Sequence, residues 1–221
     1  MKRLLLHGFT GNPATFGDPS ALLPELPGHG DAPPATSWDA AVEQLCGLLN
    51  EGSFMLGGYS MGARLALAVA LRVPGRIERL VLESGSPGLE QEVDRAARRA
   101  ADEELALLLE RDGLEAFLRR WEGNPILAGQ PHEALRAGRR RHPAAGLASA
   151  LRHLGQGAQP SLWAELPRLK VPTLLIAGER DPKYLAIGRR MQALLPRAEL
   201  QIIRGAGHAP HLEGRFDWRT A

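Results

Sequence analysis

Gly58-Tyr59-Ser60-Met61-Gly62 is a Gly-x-Ser-x-Gly run, preceded by the apolar residues 54–56 and followed by the helix-forming residues 63–73. A strand that turns sharply into a helix forces the serine at the turn into strained backbone angles. Glycines flank it because a Cβ there would collide with the neighbouring strand and helix. The run therefore predicts a nucleophile elbow with the Ser60 hydroxyl projecting into a cleft. Taken alone, the pentapeptide serves equally well as a glycine-rich connection, so the rest of the chain has to decide.

A reactive serine needs a histidine to take its proton and a carboxylate to hold that histidine in the right tautomer. Residues 171–177 read as a buried parallel strand running into Gly178-Glu179-Arg180-Asp181, which leaves Asp181 at the carboxyl end of a sheet. Residues 200–203 open in the same way into Gly205-Ala206-Gly207-His208. The order Ser60, Asp181, His208 is that of α/β-hydrolase folds. Glu179 is an alternative carboxylate, two residues from Asp181. An oxyanion hole needs the N–H of Met61 and a second N–H from a loop after an early strand. Residues 2–6 supply that strand and Phe9, in His7-Gly8-Phe9-Thr10-Gly11, the donor; each such donor is worth about 3 kcal/mol of barrier. Four weak motifs, in order and each at a strand end, make coincidence a poor explanation.

The family resemblance rests on these residues. Over nearly its whole length the chain resembles the α/β-hydrolase superfamily: a mostly parallel, doubly wound sheet with a helical cap. Gly58 to Arg64, followed by Glu83-Ser84-Gly85-Ser86-Pro87-Gly88-Leu89, resembles the 2-succinyl-6-hydroxy-2,4-cyclohexadiene-1-carboxylate synthases of menaquinone biosynthesis. So do Gly178 to Lys183, and Gly205 to His208 with His211 and Glu213. The resemblance implies a lyase that eliminates pyruvate from an enolpyruvyl cyclohexene substrate, with no cofactor and no metal. A carboxylesterase or other small-substrate hydrolase needs the same triad and remains open. The resemblance also implies fixed cations for a small substrate bearing several carboxylates. Arg64 stands one helical turn after Ser60. Arg98 and Arg139 align less sharply, each lying beside other arginines, and Tyr59 and Trp121 match pocket positions.

Other chemistries fit poorly. His208-Ala209-Pro210-His211 could suggest a metal site, but Pro210 disfavours the helix that would put both imidazoles on one face. Residues 57–62 have the glycine spacing of a phosphate loop, yet Ala63 stands where its lysine must be. A catalytically dead binding module would usually lack a triad member. His7, His29 and His211 read as loop-stiffening residues, while His132, His142 and His153 have no evident partner.

The 221 residues suffice for one α/β domain, and 44% apolar residues build a substantial core. The expected division is a core of residues 1–87 and 164–221 with a cap of residues 88–163. Residues 91–120 have helical spacing, with Leu105, Leu108, Leu109, Leu114, Phe117 and Leu118 in one stripe. The net charge is +2, and the cap holds eleven arginines against eleven acids, so no nucleic-acid face stands out. Cys46 is the only cysteine and reads as helix core, which suits a cytoplasmic chain. No stretch approaches the roughly 20 apolar residues of a membrane span, and residues 4–6 are too short for a signal peptide.

Two departures from the usual pattern stand out. Little room separates the Phe9 loop from a second apolar run at residues 21–23, so the intervening helix should be shortened. Only eight residues follow Glu213, so the sheet face usually covered by a terminal helix is covered either by Phe216 and Trp218 folding back or by a second subunit in a homodimer.

Overall fold

Residues 54–59 and 173–178 are buried at every position, as central strands of a parallel sheet covered on two sides require. The computed structural model describes residues 1–221. β1 (Lys2–Leu6), β2 (Phe54–Tyr59), β3 (Ile77–Glu83), β4 (Thr173–Gly178) and β5 (Ala198–Ile203) form one parallel sheet, ordered in space as in the chain. On one face Leu4, Leu6, Leu56, Leu80, Leu82 and Leu175 pack against α1 (Trp38–Gly47), α2 (Met61–Arg72) and α6 (Pro182–Leu194). Cys46, in α1, is half-buried against this core.

The opposite face has a thin cover. Leu5, Met55, Val81, Leu174, Ile176 and Ile203 meet Phe16, from a single 3-10 turn at Pro13–Phe16, and Trp218, from another at Trp218–Thr220. The indole of Trp218 is 1% exposed, and Phe216 packs beside it. The chain's own tail thus covers the face for which a second subunit was one of the two expected solutions.

The expected strand at residues 21–23 shrinks to one bridge between Leu22 and Leu4. Leu22 accepts from Leu5 N–H at 3.0 Å and donates to Arg3 at 2.8 Å. Pro24 follows at once and has no N–H with which to extend the ladder.

Between β3 and β4 lie α3 (Glu92–Glu122), α4 (His132–Arg139) and α5 (Ala144–Leu154). Ala106, Leu109, Phe117 and Leu118 of α3 pack on Leu147, Ala148 and Leu151 of α5. The helical spacing over residues 91–120 gives two helices rather than one, because Gly113 takes φ 79° and breaks α3. This layer is pinned to the early loops by hydrogen bonds from Gly30 N–H to His142 Nδ1 (2.9 Å) and from Ala35 N–H to Ser149 Oγ (2.9 Å). No helix is long and apolar enough to cross a membrane.

Candidate active site

Ser60 sits between β2 and α2 with φ 51° and ψ −106°, left-handed backbone that a non-glycine residue adopts only when its surroundings impose it. Its neighbours show what imposes it. A Cβ at Gly62 would run into the Leu6 carbonyl of β1, and one at Gly58 into the Gly62 carbonyl, so the turn can be this tight only with glycine at both places. Ser60 N–H is held by the Glu83 carbonyl at 2.9 Å.

Its hydroxyl lies 3.1 Å from Nε2 of His208, whose Nδ1 lies 2.7 Å from Oδ2 of Asp181. An ionised carboxylate only accepts, so Nδ1 carries the proton and Nε2 is free to receive one from Ser60. The other oxygen of Asp181 accepts from Tyr184 N–H at 3.2 Å, making Asp181 the N-cap of α6. Glu179 is turned away, accepting from Gly205 N–H at 2.7 Å. The loop carrying His208 is fixed by Ser84 Oγ, which donates to the His208 carbonyl at 2.7 Å, and by Glu213, which accepts from Gly207 N–H at 2.8 Å.

Met61 opens α2, where the N–H has no carbonyl one turn back to bond. Phe9 N–H also lacks an acceptor in the chain, because the loop turns through Gly11 N–H to Gly8 O and Thr10 N–H to His29 Nε2. His7 and His29 brace that loop: His7 Nε2 accepts from Leu26 N–H at 3.1 Å. His211 does something else. It pairs through Nδ1 with the fully buried Glu83 at 2.8 Å and lines the cavity. His142, without an evident partner in the sequence, bonds Gly30 and closes on Thr10 O.

Phe9, Ser60, Met61, His208 and His211 line one cavity of about 420 Å³ between sheet edge and cap, together with Tyr59, Arg64, Arg98, Trp121 and Arg139. The neighbouring arginines lie elsewhere: Arg99 bonds Glu92 and Gly157 O, and Arg140 bonds Glu115. Arg64 is buried and has no carboxylate partner. Its fork donates to Gln159 Oε1 at 3.0 Å and Leu154 O at 2.7 Å, and burial pushes its pKa down to about 10. Arg98 is paired with Asp102 at 2.8 Å and Arg139 with Glu122 at 2.8 Å. The Trp121 ring lies edge-on to Phe9, centroids 5.1 Å apart.

Among the polar cavity residues to which the motifs assign no role are Gln130, Gln156, Lys183 and Tyr184. Lys183 and Tyr184 had a usable signal, since they occupy the first turn of the helix that Asp181 caps. The glutamines had none; they reach the cavity only through the folding of the cap.

The description "Alpha/beta hydrolase family" matches residues 4–217, and the chain belongs to the α/β-hydrolase family, whose members are enzymes. Within that class several of its relatives share one name. It is 38% identical over 229 residues to a protein of Bacillus subtilis (strain 168) provisionally named 2-succinyl-6-hydroxy-2,4-cyclohexadiene-1-carboxylate synthase, covering 94% of this chain and 84% of that one. It is 32% identical to the synthase of that name from Enterobacter sp. (strain 638), covering 95% and 85%. A solved structure of MenH from S. aureus superposes with a TM-score of 0.88 at 32% identity, covering 96% and 88%.

Proposed function

We propose that the chain is a lyase that eliminates pyruvate from 2-succinyl-5-enolpyruvyl-6-hydroxy-3-cyclohexene-1-carboxylate, the reaction of the synthases it resembles. The observation that carries this reading is the enclosure of Ser60, His208 and three guanidinium groups in one cavity. A simple ester has no use for three fixed cations, whereas a substrate with several carboxylates does.

In this reading His208 draws the Ser60 proton and the alkoxide removes the proton on the ring carbon next to the succinyl carbonyl. The electron pair moves through the carbonyl, whose oxygen becomes anionic between the N–H groups of Phe9 and Met61. It then returns through the ring double bond, and the carbon–oxygen bond to the enolpyruvyl group breaks. Pyruvate departs as its enolate, which takes on its methylene carbon the proton that Ser60 and His208 removed, and this restores the resting triad. No water attacks, so a closed cap serves this reaction better than it serves hydrolysis.

The test offers purified protein the enolpyruvyl cyclohexene substrate and a nitrophenyl ester, following pyruvate and nitrophenol in parallel. Fast pyruvate release with slow ester cleavage, both lost in Ser60→Ala, is the expected result. Rapid ester cleavage without pyruvate would make the chain a carboxylesterase.

A further inference from the structure

The chain has two tyrosines, and both flank His208, with ring centroids 5.6 Å away for Tyr59 and 4.5 Å for Tyr184. Each phenol oxygen is met by a glutamine and each glutamine by an arginine. On one side Arg139 Nη2 donates to Gln130 Oε1 at 2.7 Å, and Gln130 Nε2 donates to Tyr59 Oη at 3.0 Å. On the other, Arg98 Nη1 donates to Gln156 Oε1 at 3.4 Å, and Gln156 Nε2 donates to Tyr184 Oη at 2.8 Å.

The directions are forced. A guanidinium has donors only, so the amide carbonyl of each glutamine must face its arginine and the NH2 group must face the tyrosine. Each phenol oxygen is then an acceptor toward the glutamine and keeps its proton for another partner. No group of the chain takes either proton, and both tyrosines line the cavity. The arginines are themselves fixed by Asp102 and Glu122, and both glutamines are buried. Burial raises both phenol pKa values, so both remain donors at any working pH.

We infer that Gln130 and Gln156 are positioning residues, which hold Tyr59 and Tyr184 as two outward O–H donors on either side of His208 for two oxyanionic groups of one ligand. This goes further than the lyase reading and rests on it for the substrate. Arg98 and Arg139, already paired with carboxylates, then act on the ligand partly through these phenols.

Gln156→Glu and Gln130→Glu keep shape and arginine contact but present an acceptor, which captures the phenol proton. Each should raise KM for pyruvate release about tenfold, the scale of one hydrogen bond to a charged group, with a smaller change in kcat. Each should add nothing when its own tyrosine is Phe, yet act in full when the other one is. Gln156→Met and Gln130→Met repeat the cycle without a buried charge. An equal loss in the Tyr184→Phe or Tyr59→Phe background as in the wild type would overturn the inference.

A second readout is independent of turnover. With 13C at tyrosine Cζ, the two signals, assigned by Tyr→Phe, should both move when succinate is added to the wild-type protein. Each should lose that response in its own Gln→Glu variant. Signals indifferent to succinate would overturn the inference even if pyruvate release is fast. If pyruvate release is absent, the lyase reading fails and the succinate response still decides on the relays.

Discussion

The indole of Trp218 lies directly over Gly57 of β2, so close that a Cβ built on Gly57 would stand 2.5 Å from the ring. The glycine makes a seat in the sheet for the largest of the side chains that cover this face. Trp218→Ala should cost about 3–5 kcal/mol by opening a cavity there, read as a lowered urea midpoint. Its Nε1 has no hydrogen-bond partner. Trp218→Phe should therefore cost far less than Trp218→Ala, since part of the lost packing is offset by removing an unpaired buried N–H.

Asp181 does two jobs with two oxygens, and they can be separated. Asn remains a good N-cap, so Asp181→Asn should leave thermal unfolding within a few degrees of wild type. It should lower kcat for pyruvate release by about 10⁴, because an amide N–H facing His208 holds the wrong tautomer. A loss below tenfold would remove Asp181 from the mechanism.

His7, His29 and His142 form a buried ladder between the Phe9 loop and the cap, with centroids 4.9 Å and 5.1 Å apart. Burial lowers all three, His7 to about 4 and His29 and His142 in the same direction. The unfolded chain therefore binds protons near pH 6.5 that the folded chain refuses. Stability is full above that pH and falls as the solution is acidified toward 4, by up to about 1.4 kcal/mol per pH unit for each imidazole that stays neutral. Urea midpoints at pH 7 and pH 5 should show a marked drop, and His7→Gln should make it shallower.

Arg64 ties α2 to the end of α5 while facing the cavity. Arg64→Met leaves Gln159 Oε1 and Leu154 O without their donor, which should cost about 1–3 kcal/mol. It should also lower kcat/KM for the carboxylate-rich substrate at least tenfold. An unchanged kcat/KM beside a reduced urea midpoint would make Arg64 a scaffold residue only.

The parts legible in the sequence are those in which a few adjacent residues carry the geometry. The Ser60 turn, the Asp181 turn and the His208 loop each announce themselves through glycines next to an apolar strand. The bridge at Leu22 was harder to read, since its brevity depends on one proline beside a run that otherwise looks like a strand. Gly113 breaks α3 within a stripe whose spacing continues across it, so periodicity alone does not reveal the break. Gln130 and Gln156 lie 71 and 28 residues from the tyrosines they meet, and no local pattern encodes such pairings. His142 was opaque for the same reason: its partner, Gly30, is 112 residues away.

Because the strands lie side by side in the order in which they are synthesised, each strand after β1 meets a partner already made, even where the cap intervenes between β3 and β4. Ser60 and its turn come early in that sequence, and the imidazole arrives only on the loop beyond β5. A growing chain thus exposes an ordinary alcohol for most of its assembly, and reactivity is the last property it acquires.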